Sequence, residues 1–259
     1  MKRVVYNELG LSFGFVFLLG LLGAFVAGGL GAAWYMEHHG HVVTGMTNRI
    51  VWGTPHVFAV FLIVAASGVL NVASMGSVFN RQVYKPLSRL SGLLAIALLA
   101  GGLAVLVLDL GRPDRLIIAM TNFNFKSIFA WNIFLYSGFM VIVAAYLMIQ
   151  MGRGLERYIK VAGWFAFVWR LALTTGTGSI FGWLVARQAY DAAVMAPLFI
   201  AMSLSFGLAV FILFTVVTCS FTGRKLGPGL LRRMGRLLGI FIAAVLYFTT
   251  VQHLSLIHI

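Results

Sequence analysis

The sequence predicts an all-α fold, a polytopic bundle of membrane-spanning helices, and three observations predict it. Apolar residues fill 61% of the 259 positions and charged residues only 10%, with a mean hydropathy of +0.98; a soluble domain of this length carries far more charge. The apolar residues come in runs of about 20, the length that crosses a hydrocarbon core at about 1.5 Å per helical residue. Those runs lack the two-residue alternation of an outer-membrane barrel, so helices rather than strands must satisfy the backbone in lipid.

The first run, 11–35, follows Met1-Lys2-Arg3. It is too long for the apolar core of a signal peptide, about 7–15 residues, and reads as a retained first span. Gly20, Ala24, Gly28 and Ala32 recur along it every four residues, a ridge suited to close helix packing. The second span covers 54–79 and the third 91–110. The short connection "NRQVYKPLSR" makes these two antiparallel neighbours. Spans four to six follow at 127–151, 161–185 and 193–221. A seventh begins near 237 and reaches Ile259 without a polar stop. The reading is therefore one domain, 1–259, with seven visible spans, a chain that stops inside its last span, and C-terminal helices missing.

Charge fixes the expected orientation. Thirteen of the nineteen Lys and Arg residues lie at the N-terminus or in the loops around Lys85, Arg157 and Arg233, and five lie on the opposite side. The positive-inside rule puts the N-terminus in the cytoplasm. The formal charge of +13 is then a topology signal, not a nucleic-acid footprint. The single cysteine, Cys219, excludes a disulfide framework and any iron–sulfur or structural zinc site ligated by several cysteines of this chain.

Several polar residues stand out against this background. Asp109 closes the third span in "LVLDLGRPDR", and His56 enters the second in "VWGTPHVFAVF". Both fall near the outer boundary of adjacent antiparallel spans, where an imidazole beside a carboxylate makes a proton-exchanging pair. Spacing alone leaves open that they are two unrelated boundary residues in solvated headgroups. "TNFNFKSIFAWN" extends the same rim with Asn124, Lys126, Trp131 and Asn132, the aromatics reading as belt anchors.

Arg170 falls about ten residues into the fifth span, roughly 15 Å deep. Arginine at that depth costs about 2.5–3.5 kcal/mol, so it faces the bundle interior or a wet cavity. Thr174, Thr177 and Ser179 follow on its face in "RLALTTGTGS"; a structural arginine capping a neighbouring helix is the other reading. Ser67, Asn71 and Ser74 stripe His56's face of the second span and read as interhelix packing rather than a water file. "MEHHGH" reads as a solvated loop rather than a metal site. His56 with His253 as axial haem ligands is disfavoured, because no inner pair accompanies them.

Three stretches, "TGMTNRIVWGTPHVFAVFLIVAASG", "VYKPLSRLSGLLAIALLAGGLAVLVLDLGRPDR" and "NFKSIFAWNIFLYSGF", together resemble the NrfD/PsrC family over roughly residues 10–215. "ARQAYDAAVMAPLF" makes the DsrP-type branch, linked to dissimilatory sulfur metabolism, the most similar. The resemblance implies a quinone- or quinol-interacting subunit of an oxidoreductase complex, exchanging electrons with an extracytoplasmic ferredoxin-like iron–sulfur subunit and further redox subunits. Menaquinone or ubiquinone would be an exchangeable substrate, with no haem, flavin or metal held by the chain. The motif positions that match are His56 and Asp109, for the quinone site and its proton handling, and Arg112 with Pro113 and Arg115 less closely. Arg170, Thr174 and Thr177 join the candidate set from their depth. Two other classes stay open: a purely structural anchor for redox subunits, and a transporter binding an anion at Arg170.

Overall fold

Apolar side chains on every face leave the backbone only one way to satisfy its polar groups in lipid, and the chain takes it at almost every turn. The computed structural model describes residues 10–47, 49–50, 52–110, 113–152, 154–184, 191–224 and 226–257. Among them there are eight α-helices and no strand: α1 Phe13–His39, α2 Thr54–Ser77, α3 Ser88–Leu108, α4 Leu116–Thr121, α5 Ile128–Met151, α6 Ile159–Gly182, α7 Met195–Phe221 and α8 Pro228–Ile257. Apart from the short α4, they run up and down. One end of the bundle gathers the starts of α2, α5 and α7 and the ends of α3 and α6. The other gathers the ends of α2 and α5 and the starts of α3, α6 and α8. The chain is a multi-pass integral membrane protein.

Six helices are long and apolar enough to cross a membrane: α1, α2, α3 with its leading turn from Gln82, α5, α7 and α8. The seventh of that length, α6, has 24 residues, but Arg170 and the Thr-Gly-Thr-Gly-Ser run dilute its apolar content. The expected seven spans are thus six by composition plus one polar interior helix. The last helix also starts at Pro228, earlier than the sequence suggested. Pro is favoured in a first helical turn, so Arg232, Arg233 and Arg236 lie on the helix rather than in a loop.

The spine is α2. Its residues from Ile63 to Ser74 are buried without a break, because α3, α6 and α7 surround it. Gly68 and Gly207 make the tightest crossing: a Cβ on either would strike the backbone of the other helix. Between α2 and α3, the Ser91 hydroxyl donates to the Val69 carbonyl at 2.7 Å and accepts from the Ala73 amide at 3.1 Å. The main core then fills with Leu70, Val72, Leu99, Phe139, Tyr146, Leu173 and Phe211. By contrast α1 buries only Met36. It touches α7 where Gly14 meets the Phe221 carbonyl, whereas Gly20 and Gly28 of the small-residue ridge face open space.

Candidate functional site

His56 enters α2 in its first turn, directly after Pro55, with its amide donating to the Gly53 carbonyl at 3.1 Å. Asp109 caps the C-terminus of α3, its amide on the Val105 carbonyl at 3.1 Å. Antiparallel packing of α2 on α3 brings the two together, and His56 Nδ1 contacts Asp109 Oδ2 directly. The Asp109 side chain has no exposed surface, whereas the His56 ring keeps 23% of its own. The acid is therefore sealed behind the imidazole.

A third member joins them. His41 starts a short 3-10 turn, His41–Thr44, and its Nδ1 lies 3.6 Å from Asp109 Oδ1 with the ring 25% exposed. Two glycines in positive-φ conformations, Gly40 at 82° and Gly45 at 84°, bracket the turn and fold it back over the end of α3, a conformation other residues resist. The Thr44 hydroxyl locks it by donating to the His41 carbonyl at 2.7 Å. Each Asp109 oxygen thus faces one imidazole, and neither oxygen has a hydrogen bond to any other described residue. A buried carboxylate with no backbone donors needs a proton or a cation beside it. An imidazole that carries its proton on Nδ1 can supply a donor to each oxygen, and each ring keeps about a quarter of its side-chain surface exposed.

Aromatic rings wall one side. Trp52 stacks near the His56 ring, with centroids 6.2 Å apart, and meets Phe181 of α6 edge-on at 5.1 Å. Phe181 in turn stacks on Phe199 of α7 at 5.1 Å. The arrangement places an apolar aromatic wall beside the His56 imidazole. His41, Trp52, Phe181 and Phe199 do not stand out in the sequence as site residues. The glycine bracket around "HVVT" is the signal that could have raised His41.

The other anticipated residues lie elsewhere. Arg112 is outside the described residues. Pro113 and Arg115 form an exposed turn beyond Asp109, and Lys126 is exposed. Arg170 does not reach the histidine cluster. The Ser67 hydroxyl donates to the Arg170 carbonyl at 3.2 Å, and Ser67 lies eleven residues past His56, about 16 Å along α2. Arg170 is 2% exposed, and its guanidinium sits over the Phe167 ring at 5.1 Å. Its Nε and Nη1 have no hydrogen-bond partner, and no ion pair reaches it, among the described residues. Around its backbone runs a polar layer. Thr174 lies 2.5 Å from Ser67, and Thr177 reaches Asn132 of α5 at 3.4 Å and Tyr136 at 3.5 Å. Asn71 and Ser74 spend their donors on carbonyls of their own helix. His38, His39 and His253 are exposed, each with Nδ1 on a carbonyl one turn back. Among the described residues no three His, Cys, Asp or Glu side chains are placed to hold a metal ion.

Fold and site together define a polytopic helical membrane protein with a histidine–carboxylate cluster at one end of its bundle. Residues 42–258 match the family model described as polysulphide reductase, NrfD, and the chain belongs to that family. It is 30% identical over 87% of its length to the Hdr-like menaquinol oxidoreductase integral membrane subunit of Archaeoglobus fulgidus. It is 29% identical over 91% to a protein of Halobacterium salinarum provisionally named as a membrane subunit of dimethyl sulfoxide reductase. To a selenate reductase subunit of Mesobacillus selenatarsenatis it is 24% identical over 78%. The chain spans 57%, 59% and 56% of the lengths of these relatives.

Proposed function

We propose that this chain is the quinone-reactive membrane subunit of an oxidoreductase complex, and that His56, Asp109 and His41 form the proton-handling side of its quinone site. The observation that carries the reading is the sealed carboxylate with one imidazole on each oxygen, beside the aromatic wall of Trp52 and Phe181. A quinol releases two protons as its two electrons leave. Each imidazole can accept one proton from a bound hydroxyl, and the carboxylate between them stabilises the resulting positive charge. Trp52 and Phe181 offer the ring a stacking surface, and the apolar spans offer the isoprenoid tail a slot. His41 and His56 would hold the ring oxygens and pass protons toward the near membrane face.

Family membership and the menaquinol oxidoreductase name of the Archaeoglobus relative support the same reading. Menaquinone or ubiquinone would be the exchangeable substrate. The electrons would pass to or from a ferredoxin-like iron–sulfur subunit docked at the His56 end. A place in sulfur metabolism, in a DsrP-type complex of the cytoplasmic membrane with the N-terminus inside, is the finer part of the proposal. It rests on the sequence resemblance and on the distribution of Lys and Arg. Of the two other classes, neither the anchor nor the anion transporter calls for a buried carboxylate between two histidines.

A photoreactive quinone analogue tests the reading on the intact membrane complex. Labelling should map to the peptides carrying His41, Trp52 and His56 and be competed by unlabelled quinone. Label confined to a different subunit would leave this chain as an anchor and sink the proposal.

A further inference from the structure

The far end of the bundle, about one membrane thickness from His56, carries a second polar site that the quinone reading does not use. A cleft of about 700 Å³ opens where the ends of α2 and α5 meet the starts of α3 and α6. Lys85, Arg89 and Lys160 line it, against a single carboxylate, Glu156. Arg89 is held in place as its Nη2 donates to the Gln150 carbonyl at 2.6 Å. Gln150 itself is 8% exposed and lines the same cleft. Its side-chain Nε2 lies beside the Tyr146 hydroxyl, whose oxygen can accept one of the two N–H groups while the hydroxyl itself donates to Ser77 at 2.7 Å; the second N–H has no acceptor among the described residues.

A buried amide N–H without an acceptor carries a desolvation penalty of roughly 1–3 kcal/mol, which an acceptor entering the cleft would relieve. Three cations and one unsatisfied donor converge on a cavity with one acidic group. That donor set matches an oxyanion with several acceptor oxygens. We propose that the cleft binds a phosphate group, carried by an anionic phospholipid or free in solution. Basic pockets between spanning helices on the cytoplasmic side are places where anionic headgroups seat, and the distribution of Lys and Arg assigns this end to the cytoplasm. A second basic hollow on the same end, around Arg81, Arg233 and Arg236, is lined as well by apolar Met75, Phe79 and Ile240 and has no buried unpartnered donor among the described residues. It serves as the internal control.

The test uses the full-length complex in detergent, with bound lipid read by native mass spectrometry. Phosphatidylglycerol and phosphatidylcholine are supplied in equal amounts, and inorganic phosphate is supplied alone in a melting assay. Phosphatidylglycerol should be retained over phosphatidylcholine by about tenfold, the value of one charge-assisted hydrogen bond. The K85Q/K160Q variant should lose that preference, Gln150→Leu should weaken it, and R233Q/R236Q should leave it in place. If inorganic phosphate instead stabilises the wild type and not K85Q/K160Q, with no lipid preference, the site takes the free anion. Equal retention of both lipids with no phosphate effect overturns the proposal. So does a loss that R233Q/R236Q reproduces, because generic surface charge would then account for it. The exposed Lys85 and Lys160 make no structural hydrogen bond among those described, so their variants keep the fold, and an unchanged melting midpoint without ligand verifies it.

Discussion

Replacing Asp109 by Asn preserves shape while removing the negative charge and one of the two acceptor oxygens that face the histidines, so it separates a working carboxylate from a boundary marker. The amide still fills the buried pocket between His41 and His56 but cannot balance an imidazolium. Positioned acid–base groups contribute about 10²–10⁴-fold to rate, and Asp109→Asn should slow quinol-analogue oxidation by at least about 10²-fold. His56→Ala should do the same and also raise the KM, since it removes a partner for the ring oxygen. The double variant should be little worse than the worse single, because groups that act as a unit are not additive. His41 sits farther from the acid, at 3.6 Å. Charges at that separation interact by about 4–5 kcal/mol at an effective dielectric constant of 20. With a quarter of the His41 ring exposed, solvent screening reduces this to about 1–2 kcal/mol, or roughly tenfold in rate. His41→Ala should therefore cost about tenfold alone and almost nothing on top of Asp109→Asn. The assay is steady-state oxidation of a water-soluble quinol by the assembled complex, for wild type, three singles and two doubles. Full activity of Asp109→Asn, or defects that multiply, would refute the shared cluster.

Three further outcomes follow from the packing. Arg170→Leu should assemble and melt at or above the wild-type temperature, because leucine removes a buried charge that has no ion pair among the described residues, while quinol turnover falls; unchanged turnover would make Arg170 a packing residue. Gly68→Leu should lower the melting midpoint sharply, overpacking at the α2–α7 crossing being worth about 1–3 kcal/mol or more, and a wild-type melt would mean that the helices do not approach this closely. In a Cys219→Ser background, single cysteines at 85 and 157 should be labelled only from the cytoplasmic side of intact cells, and labelling from outside would invert the topology.

How much of this is legible in the sequence differs by element. Length and hydropathy are enough for the spans, since lipid allows a long apolar run little but a helix. The connection from Asn80 to Arg89 is short enough to force α2 beside α3 and so to bring His56 near Asp109. Packing partners are harder to read. The ridge of Gly20, Ala24 and Gly28 on α1 meets no helix here, because a small-residue pattern states that a close approach is possible without naming a neighbour. Gly68 and Gly207, which do cross, sit 139 positions apart with nothing local to pair them. His41 does not stand out because a histidine-rich loop after a span ordinarily lies in water. Only the two positive-φ glycines, acting with the Thr44 hydrogen bond, turn it back onto Asp109. The aromatic ladder from Trp52 to Phe199 needs three elements at once, which no periodicity encodes.

The heights of the polar groups along α2 argue for a division of labour within one bundle. The histidine–carboxylate cluster sits in its first turn, the Ser67–Thr174–Arg170 layer about 16 Å deeper by helical rise, and the basic cleft past its last turn at Ser77. Between the first two, α2 presents Ala59 and Ile63 to Ala66, all buried, so no continuous polar file on this helix joins them. On the proposed reading, protons released at His41 and His56 would leave by the near face, where each side chain keeps about a quarter of its surface open. Arg170 is then not part of the proton exit. A buried guanidinium over Phe167, with no ion pair among the described residues, would instead set a fixed positive potential in the bundle interior, at a burial cost of about 2.5–3.5 kcal/mol. A packing role alone would be met at lower cost by leucine. This is why the pairing of an intact fold with reduced turnover, and not either result alone, is the informative outcome for Arg170→Leu.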